Sequence, residues 1–89
     1  MTNAKLEKFI KTHMFPGFYI DVCGMYCLCL GKYLISVFLN SDTNELDVCV
    51  DSLSKRGMYE DNLEWETPST EDELAKTICR FVKKYSNKI

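Results

Sequence analysis

The chain has 89 residues, 46% hydrophobic and 27% charged, with a formal net charge of −2. That length and balance predict one ordinary globular domain whose core is no larger than one sheet and one helical layer. They exclude a disordered chain and a second domain. The charge is segregated. Residues 15–74 hold twelve of the thirteen acids against Lys32, Lys55 and Arg56, whereas both ends are basic. Such asymmetry bears on partners and association rather than on fold.

The first segment, MTNAKLEKFIKTHMF, interleaves three lysines with apolar residues and has none of the organisation of a signal peptide. Leu6, Phe9, Ile10, His13 and Met14 recur at the spacing of one helical face, predicting a helix from Asn3 to His13 or Met14. Thr2 or Asn3 would cap it and Pro16-Gly17 would end it. Lys5, Lys8 and Lys11 fall on the other side, where a basic stripe most simply meets solvent.

Next, Phe18, Ile20, Val22, Tyr26, Leu28 and Leu30 share one parity across Gly24. Either one long strand bends there or two shorter strands meet. Gly31-Lys32 suits a two-residue hairpin turn with glycine first, which pairs Leu30 with Tyr33, Leu28 with Ile35 and Tyr26 with Val37. The strongest hairpin follows, YLISVFLN-SDTN-ELDVCVD. Pairing Asn40 with Glu45 sets Leu39 against Leu46, Val37 against Val48 and Ile35 against Val50 on one face. Leu34, Ser36 and Phe38 then oppose Asp51, Cys49 and Asp47 on the other. The run from Met25 to Leu39 is broken at Gly31-Lys32, which excludes a membrane span of about 20 residues.

Ser52 to Asp61 is expected to be a loop with a turn at Arg56-Gly57. Asn62 to Glu66 alternates again, and a short edge strand is predicted with Leu63 and Trp65 inward and Glu64 and Glu66 outward. The last helix begins after Thr67-Pro68, with Ser69 and Asp72 or Thr70 and Glu73 as a capping box. Glu71, Asp72 and Glu73 lie where the helix dipole favours acids. Leu74, Ile78, Phe81, Val82 and Tyr85 form its apolar stripe. The expected fold is therefore α+β: a two-layer sandwich in the order α-β-β-β-β-α. Its sheet is an antiparallel meander of three to four strands, with both terminal helices on one face.

Candidate chemistry is sparse. Cys23, Cys27, Cys29 and Cys49 invite a metal reading, but Cys27 and Cys49 are predicted to flank an intervening strand, about 10 Å apart by strand spacing, and the spacing is not that of a zinc knuckle. Small packed thiols are the simpler role, and an odd count of five cysteines without a secretory leader suits a reduced, cytoplasmic compartment. His13 is the single histidine and sits near a helix end. No nucleophile elbow or phosphate-cradling glycine loop is present, so neither an enzyme nor a cofactor is expected.

Binding surfaces are more promising. Asp21, Asp47 and Asp51 are expected on the outer sheet face, with Glu60, Asp61, Glu64 and Glu66 leading into the last helix. Tyr19, Leu34, Phe38 and Tyr59 are placed to anchor a contact. In length, acidity and a Lys/Asn/Ile-rich composition, the chain resembles the short inhibitors carried by phages and mobile elements, a likeness of kind rather than of motif. The expectation is a non-catalytic binding protein with an acidic surface for a basic protein partner, such as a nucleic-acid-handling defence enzyme. The alternative is a nucleic-acid-binding module using Lys5, Lys8, Lys11, Lys76, Arg80, Lys83 and Lys84. The apolar groups Leu34 and Phe38 on the outer face further suggest a homodimer, unless the 52–61 loop covers them.

Overall fold

The computed structural model describes residues 2–13, 17–20, 24–40 and 42–88. Met14, Pro16, Asp21, Val22 and Cys23, which entered the sequence reading, lie outside the described residues. The elements are α1 (Asn3–Thr12), β1 (Tyr19–Ile20), β2 (Tyr26–Leu30), β3 (Tyr33–Asn40), β4 (Glu45–Leu53), β5 (Tyr59–Glu66) and α2 (Glu71–Ser86). The strands form one antiparallel sheet in the order β1-β2-β3-β4-β5. The fold is α+β as expected, with five strands rather than three or four. Two strands, β1 and β2, meet around Gly24, which adopts φ +83°.

Both hairpins have the expected register. Leu30 opposes Tyr33, and Ile35, Val37 and Leu39 oppose Val50, Val48 and Leu46. Gly31, at φ +62°, supplies the left-handed residue that the β2–β3 turn needs. The β3–β4 turn is organised by Asn40, whose side-chain oxygen accepts from the Asp42 and Thr43 amides, while Asn44 takes φ +58°. An asparagine tolerates that conformation better than most residues.

The inner face of the sheet receives both helices. Leu6, Phe9 and Ile10 of α1 and Leu74, Ile78, Phe81 and Tyr85 of α2 form one core with Tyr26, Leu28, Ile35, Val37, Leu46, Val48 and Val50. Each fully buried aliphatic or phenyl group contributes about 1.5–3 kcal/mol of transfer free energy. Thr2 caps α1 by accepting from the Lys5 amide. Thr70 caps α2 by accepting from the Glu73 amide, and the Glu73 carboxylate accepts in return from the Ser69 amide. Among the described residues no helix is long and apolar enough to cross a membrane.

The segment after Asp51 corrects the sequence reading. β4 continues to Leu53 and β5 begins at Tyr59, so the expected long loop contracts to a turn in which the Ser54 amide donates to Met58 O and the Gly57 amide to Ser54 O. The parity of β5 is also inverted. Trp65 opposes Cys49 on the outer face, while Glu64 and Glu66 oppose Val50 and Val48 on the helix side. Leu63, expected inward, is 46% exposed. In this parity Glu66 meets Arg80 and Glu64 meets Lys84 and Tyr85 on the helix side, while Trp65 meets the Phe38 ring on the other face. A register irregularity opposite Val50 and Asp51 accommodates the change.

Candidate functional site

The outer, helix-free face of the sheet is the candidate site. Its organisation follows from register alone. Tyr19, Cys27, Ser36, Cys49 and Trp65 stand opposite one another in turn and make one row across all five strands. The three central members are small and buried, whereas the aromatic groups at the two ends are exposed, Tyr19 by 49% and Trp65 by 56%. Beside this row, Phe38 meets the Trp65 ring edge-on with centroids 6.2 Å apart. On the other side Leu34 opposes Asp51 and Leu53 opposes Tyr59.

Tyr59 crosses this end of the face. Its hydroxyl donates to Gly31 O at 2.8 Å and lies 3.2 Å from Cys29 Sγ, a contact that raises the Tyr59 pKa. The 52–61 segment thus reaches over the Leu34 end of the sheet through one side chain, and it leaves Trp65 and Leu53 exposed.

The charges have one sign. The five strands contain seven carboxylates and neither lysine nor arginine. Three of the seven are matched by cations from outside the sheet. Glu60 pairs with Arg56 and also accepts from Ser54 Oγ, which holds its carboxyl below the ordinary value. Glu66 pairs with Arg80 at 3.0 Å and Glu64 with Lys84 at 3.1 Å, and the Tyr85 hydroxyl also donates to Glu64. Burial works against the Glu64 charge, but the bonds from Tyr85 and Lys84 prevail and lower its pKa. The Tyr85 phenol is pushed up to about 12 by burial and by that same carboxylate.

The other four, Glu45, Asp47, Asp51 and Asp61, form no ion pair among the described residues. Asp47 is only 3% exposed and is met by the neutral amide of Asn40 at 3.3 Å. Asp51 is half-buried, and burial raises its pKa; the bond from Asn62 opposes the rise and the charge of Asp61 adds to it. Cys49 lies between the two aspartates on β4. Burial, then Asp51 and Asp47, push its thiol up to about 12, so it stays protonated and is a poor nucleophile.

The expected site residues therefore separate. Leu34, Phe38, Asp47, Asp51 and Tyr59 share the helix-free face, with Asp47 buried rather than projecting. Glu60 and Asp61 lie at the β4–β5 end. Glu64 and Glu66 belong to the helix side and are internally paired, and Asp21 lies outside the described residues. Trp65 and Leu53 are the additions. Trp65 was visible as the single tryptophan of an alternating strand, but its parity was misread.

Cys27 and Cys49 do flank β3, separated by Ser36. Among the described residues no three potential ligands cluster to hold a metal, and Cys27, Cys29, Cys49 and Cys79 are free thiols. On the helix side, Lys11 pairs with Glu7, so Lys11, Arg80 and Lys84 of the basic set are engaged within the chain. No protein-family model, curated protein or solved structure matches this chain.

Proposed function

We propose that this protein is a non-catalytic binding protein that inhibits or regulates a basic protein partner through the helix-free face of its sheet. The observation that carries the reading is the pairing of exposed apolar groups with charge of a single sign: Trp65, Leu53 and Tyr19 are exposed beside Asp51 and Glu45 on strands that contain no cation. Aromatic anchors supply contact energy, and unneutralised carboxylates select the partner and speed its approach. Surfaces that bind phosphate are strongly basic, so a nucleic-acid-handling enzyme is the class of partner that fits, and a reduced cytoplasmic setting suits the free thiols. A second copy of the chain on this face would oppose carboxylate to carboxylate. Direct nucleic-acid binding is less well supported, because three of the seven cations it would use are held by Glu7, Glu64 and Glu66.

Affinity capture with the wild-type chain, with a Glu45→Lys/Asp51→Lys variant and with a Lys76→Glu/Lys83→Glu variant tests the reading. A basic protein retained by the wild type and by the helix variant, and lost with the sheet variant, is the expected result. Retention by the sheet variant and loss with the helix variant would overturn it.

A further inference from the structure

We infer that the occupant of the helix-free face is an amphipathic basic helix of the partner, laid across the strands along the row from Tyr19 to Trp65. The inference rests on the binding function proposed above and adds the form of the partner's element. The row crosses four strand spacings, about 19 Å, which is the length of a helix of about 13 residues. Exposed aromatic rings stand at its two ends, and Cys27, Ser36 and Cys49 lie low between them. A cylinder lying along the row would reach both ends, with Phe38 on one flank and, on the other, Leu34 and the Tyr59 side chain that crosses that end of the face. An extended strand would add through its backbone at one edge of the sheet and would meet only one end of the row, Tyr19 on β1 or Trp65 on β5.

The sheet already receives α1 and α2 on its other face by the same layer logic, apolar stripe against apolar face. What differs here is charge. On β4, Asp51 lies on one side of Cys49 and Glu45 on the other, beyond the buried Asp47, so carboxylates that solvent reaches stand on both sides of the row. Among the described residues Asp51 and Glu45 have no cationic partner. Lysine or arginine on the flanks of the docking helix would supply one, with the apolar stripe on Trp65, Phe38 and Leu34. A helix with acidic flanks would be repelled.

Trp65 is the single tryptophan, so its emission reports on this face alone. The probes are three synthetic peptides of about 18 residues, long enough to cover the row: leucine and lysine in helical period, leucine and glutamate in the same period, and leucine and lysine in strict alternation. The helical lysine peptide is expected to shift Trp65 emission to the blue, saturably, with at least fivefold higher affinity than either of the others. The Glu45→Gln/Asp51→Asn variant, which keeps side-chain shape, is expected to weaken that affinity several-fold, and added salt to do the same.

Equal shifts with the glutamate peptide, or an affinity unchanged in the variant, would overturn the role of charge. A stronger response to the alternating peptide would overturn the helical form. In that last case the capture experiment still stands on its own, because a basic partner lost on charge reversal of the sheet would keep the binding function while discarding the helix.

Discussion

The two faces of the sheet are built from the same four long strands and differ in what finishes them. The inner face is closed by α1 and α2, its apolar groups are dry, and the carboxylates at its β5 margin are matched by Lys84, Arg80 and Tyr85. Among the described residues the outer face has no helical layer. Its central side chains are small, its large ones stand exposed at the ends of a row, and its carboxylates are left to Asn40 and Asn62. Glu64 and Glu66 are paired on one side, while among the described residues Asp47 and Asp51 have no cation on the other, and it is this difference that the proposed binding function uses.

The largest effects should come from the inner face. Phe81→Ala opens a cavity in a fully buried site and should cost about 3–5 kcal/mol. Leu34→Ala on the outer face, half-buried with no closed space to leave behind, should cost about 1 kcal/mol. Urea denaturation of the two variants measures the contrast, and equal losses would erase the distinction between the faces.

Next in size is the margin where α2 meets β5. Tyr85→Phe removes the hydroxyl that donates to Glu64 and should cost about 1–2 kcal/mol at neutral pH. The folded-state pKa of Glu64 is lowered from 4.5, so its contribution is present above that value and lost as pH falls through the lower folded pKa. Thermal denaturation should therefore show the gap between wild type and Tyr85→Phe narrowing below pH 4.5. A gap that stays constant down to pH 3, about 1.5 units below the ordinary glutamate value, would remove Glu64 from the explanation.

The smallest effect has the opposite sign. The Asp51 pKa is raised in the folded state from 3.8, so its ionised form opposes folding at neutral pH, and the relief brought by protonation is present only at low pH. Asp51→Asn should stabilise the isolated protein at neutral pH by a fraction of a kcal/mol, since water screens a half-exposed group. The gain should vanish below pH 3.8. The same substitution should weaken partner binding. Stability gained where function is lost is what a carboxylate kept for recognition predicts.

Much of the inner face was legible in the sequence. Two turns, Gly31-Lys32 and Ser41 to Asn44, agreed on Ile35 and Val37 as inward residues, the first adding Tyr26 and Leu28 and the second Val48 and Val50, and a one-residue slip in either hairpin would have broken that agreement. The helices declared themselves through their stripes and through Thr70 with Glu73.

β5 was misread because alternation establishes that odd and even positions differ without establishing which of them meets the helices. Leu63 and Trp65 looked like the buried set. The partners that the even positions meet, Arg80 and Lys84, are 14 and 20 residues away in sequence, and the register irregularity has no local signature. β1 is two residues long and carries too little pattern to be read as a separate strand. The burial of Asp47 was equally hidden, since nothing in the alternation of β4 sets it apart from Glu45 and Asp51.

The separation of the faces is tested most directly by mapping the amide footprint of the captured basic partner on the isotopically labelled chain by NMR. The account predicts perturbations concentrated on Leu34 to Phe38, Asp47 to Leu53 and the Trp65 indole, with Lys76 and Lys83 of α2 unmoved. A footprint centred on Lys5, Lys8, Lys76 and Lys83, with the Trp65 indole unchanged, would contradict it.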